Sequence, residues 1–317
     1  MKRFIYTLSL FAVFALFFYL LAIVLWGRYT PQFLRPNLNY RVGTYGHTFT
    51  RLKEVKQVEN IDILFLGSSH AYRGFDTRIF KSHGLRTFNL GSSSQTPLQT
   101  LLLVERYLDK LKPGLVIFEV NPLVFSLDGV ESSLDIIAND QNDLYSYEMA
   151  FKINHIKTYN SLLYSIHRDA LKLNKSFNEP VKKDNDTYIE GGFVENKMAY
   201  YRPVEMAAKE IVLPKNQLKA FEKCMYEIKK RNIEVILVYA PVTHSVYSSA
   251  TNNKYFDKVM AGYSTYYNFN EMMNLADSLY FYDPDHLNQK GVEIFNNKLI
   301  DVLKERHGNT VKGLPGS

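Results

Sequence analysis

From Phe4 to Gly27 the chain runs 24 residues without one charged side chain, and no other stretch constrains the fold as much. As a helix rising about 1.5 Å per residue, such a run spans about 35 Å, enough to cross a bilayer. A cleaved signal peptide would have an apolar region of about 7–15 residues ending in a small-x-small site. Leu25-Trp26-Gly27-Arg28 supplies no such site, so residues 1–30 are read as an uncleaved signal anchor with Trp26 at the interface. Lys2 and Arg3 on one side are balanced by Arg28, Arg35 and Arg41 on the other. With so short an amino-terminal flank, the expected orientation is amino terminus inside. The expected product is a single-pass membrane protein whose body is extracytoplasmic, on the periplasmic or cell-surface side.

The body beyond the anchor is long enough for one large domain or two small ones. With 46% hydrophobic and 22% charged residues, a disordered chain, a collagen-like fibre and a multi-span transporter fit poorly. The one cysteine, Cys224, excludes an intramolecular disulfide and a thiolate metal cluster. A net charge of +6 could suit nucleic acid or an acidic surface. The basic residues are interspersed with acidic ones along segments such as Lys215 to Arg231, however, and no nucleic-acid-binding signature is present. No nucleic-acid partner is expected.

Residues 31–60, with Pro31 and Pro36, read as an irregular stalk. From 61 onward, short apolar runs at Ile61 to Leu66, Leu115 to Val120 and Ile233 to Ala240 read as buried strands. Helical faces lie between them, such as Leu98, Leu101, Leu102, Leu108 and Leu111, or Leu218, Phe221, Met225 and Ile228. Buried strands alternating with amphipathic helices call for a parallel sheet covered on both faces. A final strand near Leu279 to Tyr282 and a helix from about Gln289 to Arg306 complete the pattern. The predicted fold class is α/β, a three-layer sandwich with a central parallel sheet over 61–317, preceded by one transmembrane helix. Residues 125–213, rich in Asn, Asp, Tyr and Lys, break the rhythm and read as an insertion or cap: a substrate-facing lid or a surface elaboration.

Ligands of open parallel sheets bind beyond the carboxyl ends of the strands. After the first strand stands Gly67-Ser68-Ser69-His70, a tight turn presenting hydroxyls. Near the carboxyl end stands Asp283-Pro284-Asp285-His286-Leu287-Asn288. A serine needs a base to take its proton, and the base needs an acceptor to hold its tautomer. Asp283, three residues before His286, can serve within one turn, whereas Asp285 adjoins the ring too closely and reads as a turn residue. His70 adjoins Ser69 too closely to be its base and reads as packing. His244, after the third apolar strand, is expected to line the cleft and contact substrate. No Gly-x-Ser-x-Gly elbow, His-Glu-x-x-His pair or phosphate-cradling Gly-Lys loop is present, and the eight histidines show no metal-ligand spacing. Neither a metal nor a cofactor is expected.

The order of these pieces resembles the SGNH/GDSL hydrolase superfamily, with Ser early and Asp-x-x-His late. Gly67-Ser68-Ser69 is similar to its Gly-Asp-Ser block, with Ser68 replacing the Asp. This variant resembles a membrane-anchored branch that includes DltD-like and polysaccharide O-acetylation proteins. Asn89-Leu90-Gly91-Ser92 resembles the second block, and Glu119-Val120-Asn121-Pro122 keeps only the asparagine of the third. The resemblance implies Ser69 as nucleophile, His286 as base and Asp283 as its orienting acid. It also implies oxyanion donors at the Ser69 and Gly91 amides and Asn121. It further implies an acyltransferase or esterase acting through an acyl-serine on O-acyl groups of a cell-envelope polysaccharide or teichoic-acid-like polymer. Its partners would be a membrane-bound O-acyltransferase as donor and a polysaccharide or polyol-phosphate acceptor. The missing Asp of block one leaves a second expectation open, a non-catalytic glycan-binding or scaffold protein of an envelope assembly complex.

Overall fold

The computed structural model describes residues 1–307. The first helix, α1 (Lys2–Tyr29), contains the whole apolar run and is long and apolar enough to cross a membrane. After it come α2 (Thr48–Glu54), β1 (Ile63–Leu66), α3 (Ser69–Gly74), α4 (Thr77–Ser82), β2 (Thr87–Asn89), α5 (Pro97–Leu111) and β3 (Leu115–Glu119). An inserted block comes next: α6 (Pro122–Phe125), α7 (Val130–Asn139), α8 (Leu144–Ile153), α9 (Ile156–Ala170), β4 (Lys182–Lys183), β5 (Asp186–Ile189) and β6 (Phe193–Asn196). The chain then forms α10 (Lys215–Lys229), β7 (Glu234–Tyr239), α11 (His244–Ser249), α12 (Asn253–Ala261), β8 (Thr265–Asn268), α13 (Phe269–Met272), α14 (Asp277–Tyr280) and α15 (Gln289–His307).

The central sheet has five parallel strands in the order β2-β1-β3-β7-β8. Its strands read as continuous apolar runs because both faces are covered. Alternate residues serve the two faces: Leu64, Leu66, Val116 and Phe118 pack with α5 and α10, while Ile63, Phe65, Leu115 and Ile117 pack with Phe75, Phe80 and α15. This is the predicted three-layer α/β arrangement. The strand order reverses between β1 and β3, so their carboxyl ends splay apart and open a crevice. Ser69 follows β1 at that crevice.

Two local expectations need correction. Leu279 to Tyr282 is not a strand: α14 ends at Tyr280, and Phe281 makes only an isolated bridge to Leu287. The fifth strand is Thr265–Asn268, whose half-buried tyrosines lack the continuous apolar signature because it sits at the sheet edge. Residues 31–60 are not a detached stalk. Leu38, Tyr40, Leu52 and Val55 are buried, the Asn39 amide donates to Ser161 Oγ, and the Gly43 amide donates to Asn139 Oδ1. These polar anchors to α7 and α9 carry no hydrophobic periodicity. The inserted block is two structures, a helical layer (α7 to α9) and a small antiparallel sheet β4-β5-β6.

Candidate active site

The turn that carries Ser69 is set by Gly67, at φ +141°. A Cβ there would stand 2.8 Å from Glu119 Cβ and 3.0 Å from the Glu119 carbonyl oxygen, so only glycine lets β1 turn this close to β3. Ser68 caps α3, and Ser69 is its first residue, with an N–H that has no acceptor inside the helix. Gly67→Ala is expected to destabilise the fold by about 1–3 kcal/mol and displace Ser69. Urea unfolding, with reactivity of Ser69 toward a serine-directed phosphonate, checks both.

Ser69 Oγ lies 2.8 Å from His286 Nε2. The other ring nitrogen, Nδ1, lies 2.9 Å and 3.0 Å from the two Asp283 oxygens. Asp283 Oδ1 also accepts from the backbone amides of Asp285 at 2.8 Å and His286 at 2.7 Å. Burial raises the pKa of this carboxyl, but His286 and the two amides outweigh it and hold the group below the ordinary carboxylate value. Asp283 is therefore an anion that fixes the proton on Nδ1 and leaves Nε2 free to accept the Ser69 proton.

The imidazole is held between two rings, with His70 stacked at 4.9 Å and Tyr282 at 5.7 Å. His70 is buried, and burial together with the neighbouring His286 lowers its pKa to about 3, so it is neutral. Its Nε2 faces Asn121 Nδ2 at 3.0 Å and its Nδ1 faces Ser68 Oγ at 3.1 Å. Because Asn121 Oδ1 is occupied by the Leu123 amide, Nδ2 donates to His70, and the His70 proton sits on Nδ1, donating to Ser68. His70 thus packs and locks the turn, as its position beside Ser69 suggests.

One expected oxyanion donor is engaged elsewhere, and another is partly engaged. The Gly91 amide donates to Asn89 Oδ1 at 2.9 Å, and Asn89 Nδ2 donates to the Ala71 carbonyl. Gly91 serves close approach, since a Cβ there would stand 2.6 Å from the Ser68 carbonyl oxygen. Asn121 gives one Nδ2 hydrogen to His70 and uses Oδ1 to cap α6, which leaves its second Nδ2 hydrogen uncommitted. His244 is also misplaced by the expectation. It is exposed at the start of α11, its amide donates to Asp277, and it borders a separate cavity of about 70 Å³ with Asn270 and Leu275. The residue before it makes the useful contact: Thr243 Oγ1 donates to the Pro284 carbonyl at 2.7 Å, tying the β7 loop to the Asp283–His286 turn.

Ser69, Asp283 and His286 open into a cavity of about 640 Å³. Its far wall comes from the inserted sheet, with Lys183, Asp186 and Asn196, and its floor from Tyr45, Tyr72 and Arg73. Arg73 forms a bidentate pair with Asp186 at 2.7 and 2.8 Å, bridging α3 to β5, and Asn196 donates to the same carboxylate. Sequence reasoning missed this wall, because no local pattern links residues 113 positions apart. Among the described residues no cluster of three or more His, Cys, Asp or Glu side chains is arranged to hold a metal.

Glu119 ends β3 beside the turn that carries Ser69, 3% exposed, with neither oxygen hydrogen-bonded. Burial pushes its pKa up to about 8, tempered by the facing amides of Asn121, Ala240 and Ser68. A carboxyl with a raised folded pKa binds more protons folded than unfolded, so its contribution is complete below the unfolded value and is lost as pH rises through the folded one. Asp135, raised by burial to about 7, acts in the same direction at lower pH. Buried His47 and His70, lowered to about 4 and 3 by burial, act oppositely and only below their ordinary value of about 6.5. Between pH 7 and 8 the wild type should therefore lose about 1 kcal/mol through Glu119, and Glu119→Gln should abolish that loss. Urea midpoints of both proteins at the two pH values provide the check.

No family model matches the chain, and no curated protein matches it. Among solved structures it is similar to a GDSL-like lipase from Bacteroides thetaiotaomicron, at 12% identity and TM-score 0.42, over 82% of this chain and 98% of that one. It is also similar to a protein described as an acylhydrolase from Bacteroides fragilis, at 12% identity and TM-score 0.38, over 80% of this chain and 94% of that one.

Proposed function

We propose that the chain is a membrane-anchored SGNH-type serine esterase or O-acyltransferase that works through an acyl-serine intermediate. The observation that carries this reading is the continuous line Asp283–His286–Ser69, with contacts of 2.9 Å and 2.8 Å. Ser69 Oγ attacks an ester carbonyl carbon while its proton passes to His286 Nε2. The imidazolium, stabilised by Asp283, returns that proton to the departing alkoxide oxygen, leaving the acyl group on Ser69. A hydroxyl of an acceptor, or water, then gives its proton to Nε2 and attacks the acyl carbon; the bond from that carbon to Ser69 Oγ breaks, and Nε2 returns the proton to Oγ, restoring the resting site. Of the three expected oxyanion donors, the Ser69 amide is free at the head of α3, Asn121 keeps one uncommitted Nδ2 hydrogen, and the Gly91 amide would have to leave Asn89 Oδ1 on substrate binding.

The polar wall of Lys183, Asp186 and Asn196 beside tyrosines 45 and 72 supports a hydroxyl-rich acceptor such as an envelope polysaccharide or polyol phosphate. With α1 as a single-pass anchor, the body faces outside the cytoplasm and receives acyl groups from a membrane-bound O-acyltransferase. Incubating the purified chain with a serine-directed phosphonate, followed by intact mass and peptide mapping, tests the reading. Covalent labelling at Ser69 supports it, and a folded protein that takes no label overturns it. The engagement of the Gly91 amide by Asn89 favours a second reading, a non-catalytic glycan-binding or scaffold protein, which predicts no label at any serine.

A further inference from the structure

We infer that the globular body is seated in the bilayer leaflet on its own side, with the α8–α9 corner and a cleft beside α1 in contact with lipid acyl chains. The inference rests on α1 as a membrane span. Its starting point is where α9 meets that helix. Tyr19, Ile23 and Gly27 form one stripe of α1 at four-residue spacing, and this stripe faces α9. Tyr19 Oη donates to Asn160 Oδ1 at 2.6 Å, Ile23 is buried, and a Cβ on Gly27 would meet the Tyr164 ring at 2.4 Å.

Depth follows from length. A hydrocarbon core of about 30 Å takes up about 20 residues of helix. However that core is slid along the 24-residue apolar run, Tyr19 falls inside it, about 6 Å or more from the boundary. Asn160 of the body must then reach the same level or tilt α1 to meet it. Its amide is equipped for such a place, because Oδ1 accepts from Tyr19 and Nδ2 donates to the Asn37 carbonyl at 3.0 Å, with 8% of the residue exposed.

The pairings Tyr19 with Asn160 and Gly27 with Tyr164 run in the same direction along both helices. The amino-terminal end of α9 is therefore its deeper end. Ile156, one turn before Asn160 on the same face, is 45% exposed, and Phe151 at the end of α8 is 71% exposed. In water these apolar side chains would stay exposed, with Phe151 set at a tilt against the Tyr159 ring of α9, whereas at this depth they meet lipid. An apolar cavity of about 410 Å³ opens at the same level between α1 and residues 36–38, lined by Tyr19, Ala22, Ile23, Trp26 and Leu38. A hydrocarbon chain fits its lining, and Arg35 at its rim, donating to the Gly27 carbonyl, stands at headgroup height.

Brominated acyl chains test this with the full chain in phosphatidylcholine vesicles, because the wild type has one tryptophan, Trp26. In a Trp26→Phe background, Phe151→Trp and, separately, Ile156→Trp report the corner, and Ile294→Trp reports the exposed side of α15 on the opposite layer. The expected result is about twofold quenching of Trp26 in the wild type and of the indole introduced at position 151 or 156, with none at position 294. Quenching of Trp26 with both corner positions as unquenched as position 294 would overturn the inference while leaving the anchor intact. An unquenched Trp26 would overturn both. Equal quenching at all positions would mean adsorption without a defined seat and would also overturn it. Near-ultraviolet circular dichroism selects folded variants, and two corner positions guard against one that fails to fold.

Discussion

Ser69→Ala should lower acyl turnover by a factor on the order of 10⁴ to 10⁶ and abolish phosphonate labelling, while the fold stays intact. The side chain is a small hydroxyl at the first position of a six-residue helix, and its loss removes one 2.8 Å contact to His286 and no core packing. Ser68→Ala is the informative neighbour. Ser68 is 1% exposed and its hydroxyl accepts from His70, so it cannot serve as the nucleophile. Labelling should survive that change, at a reduced rate because the turn loses its cap. His286→Ala should cost about as much as Ser69→Ala, and the double variant no more than either, because the two side chains act as one unit. A double variant that falls by the product of the single losses would mean independent roles and would sink the acyl-serine mechanism. The assay needs only a chromogenic short-chain ester and the purified chain.

How legible this site was depends on the distance over which each contact forms. The Asp283–His286 contact closes within one turn, so sequence spacing sufficed to identify it. Ser69 was foreseeable at the carboxyl end of the sheet because it follows β1, but His286, 217 residues away, follows no strand and reaches that end through a turn tied to the loop after β7 by Thr243 Oγ1 and the Pro284 carbonyl. The sheet itself was legible wherever both faces of a strand are buried. It failed for Thr265–Asn268, an edge strand whose tyrosines alternate with no clear apolar face. Gly91 and Asn121 show a different limit. Their residue types and places match an oxyanion hole, but whether an amide is free depends on neighbours such as Asn89 and His70, which no spacing rule includes. His244 follows a strand end and still misses the cleft, because α11 starts there and carries the side chain outward. The inserted wall was least legible of all. Arg73–Asp186 and Lys183–Glu179 are polar contacts on short strands of a segment whose composition resembles a loop.

Asp283→Asn should cost a factor on the order of 10⁴ in turnover, although asparagine has nearly the same shape. The direction follows from the pinned oxygen. Asp283 Oδ1 accepts two backbone amides, at 2.8 and 2.7 Å, and in the variant only the amide oxygen can take that place. The amide nitrogen is then left in the Oδ2 position, 2.9 Å from His286 Nδ1. There it donates, which favours the tautomer with Nδ1 bare and the proton on Nε2, the atom that has to receive the Ser69 proton; the amide oxygen, 3.0 Å from Nδ1 and already accepting two backbone amides, is the weaker competitor. The base is thereby removed without moving an atom by more than a few tenths of an ångström. Asp285 makes the matched control. It lines the same cavity and burial raises its carboxyl, but its side chain makes no hydrogen bond to His286. Asp285→Asn should therefore leave turnover within about threefold of wild type, as for a substitution that breaks no named interaction. If Asp285→Asn were instead the damaging change, the carboxylate that holds the imidazole would be the adjacent one, and the 2.9 Å contact to Asp283 would carry no catalytic weight. If both variants kept full turnover, His286 would need no anion at all, and the stacking of its ring between His70 and Tyr282 would have to hold the tautomer alone.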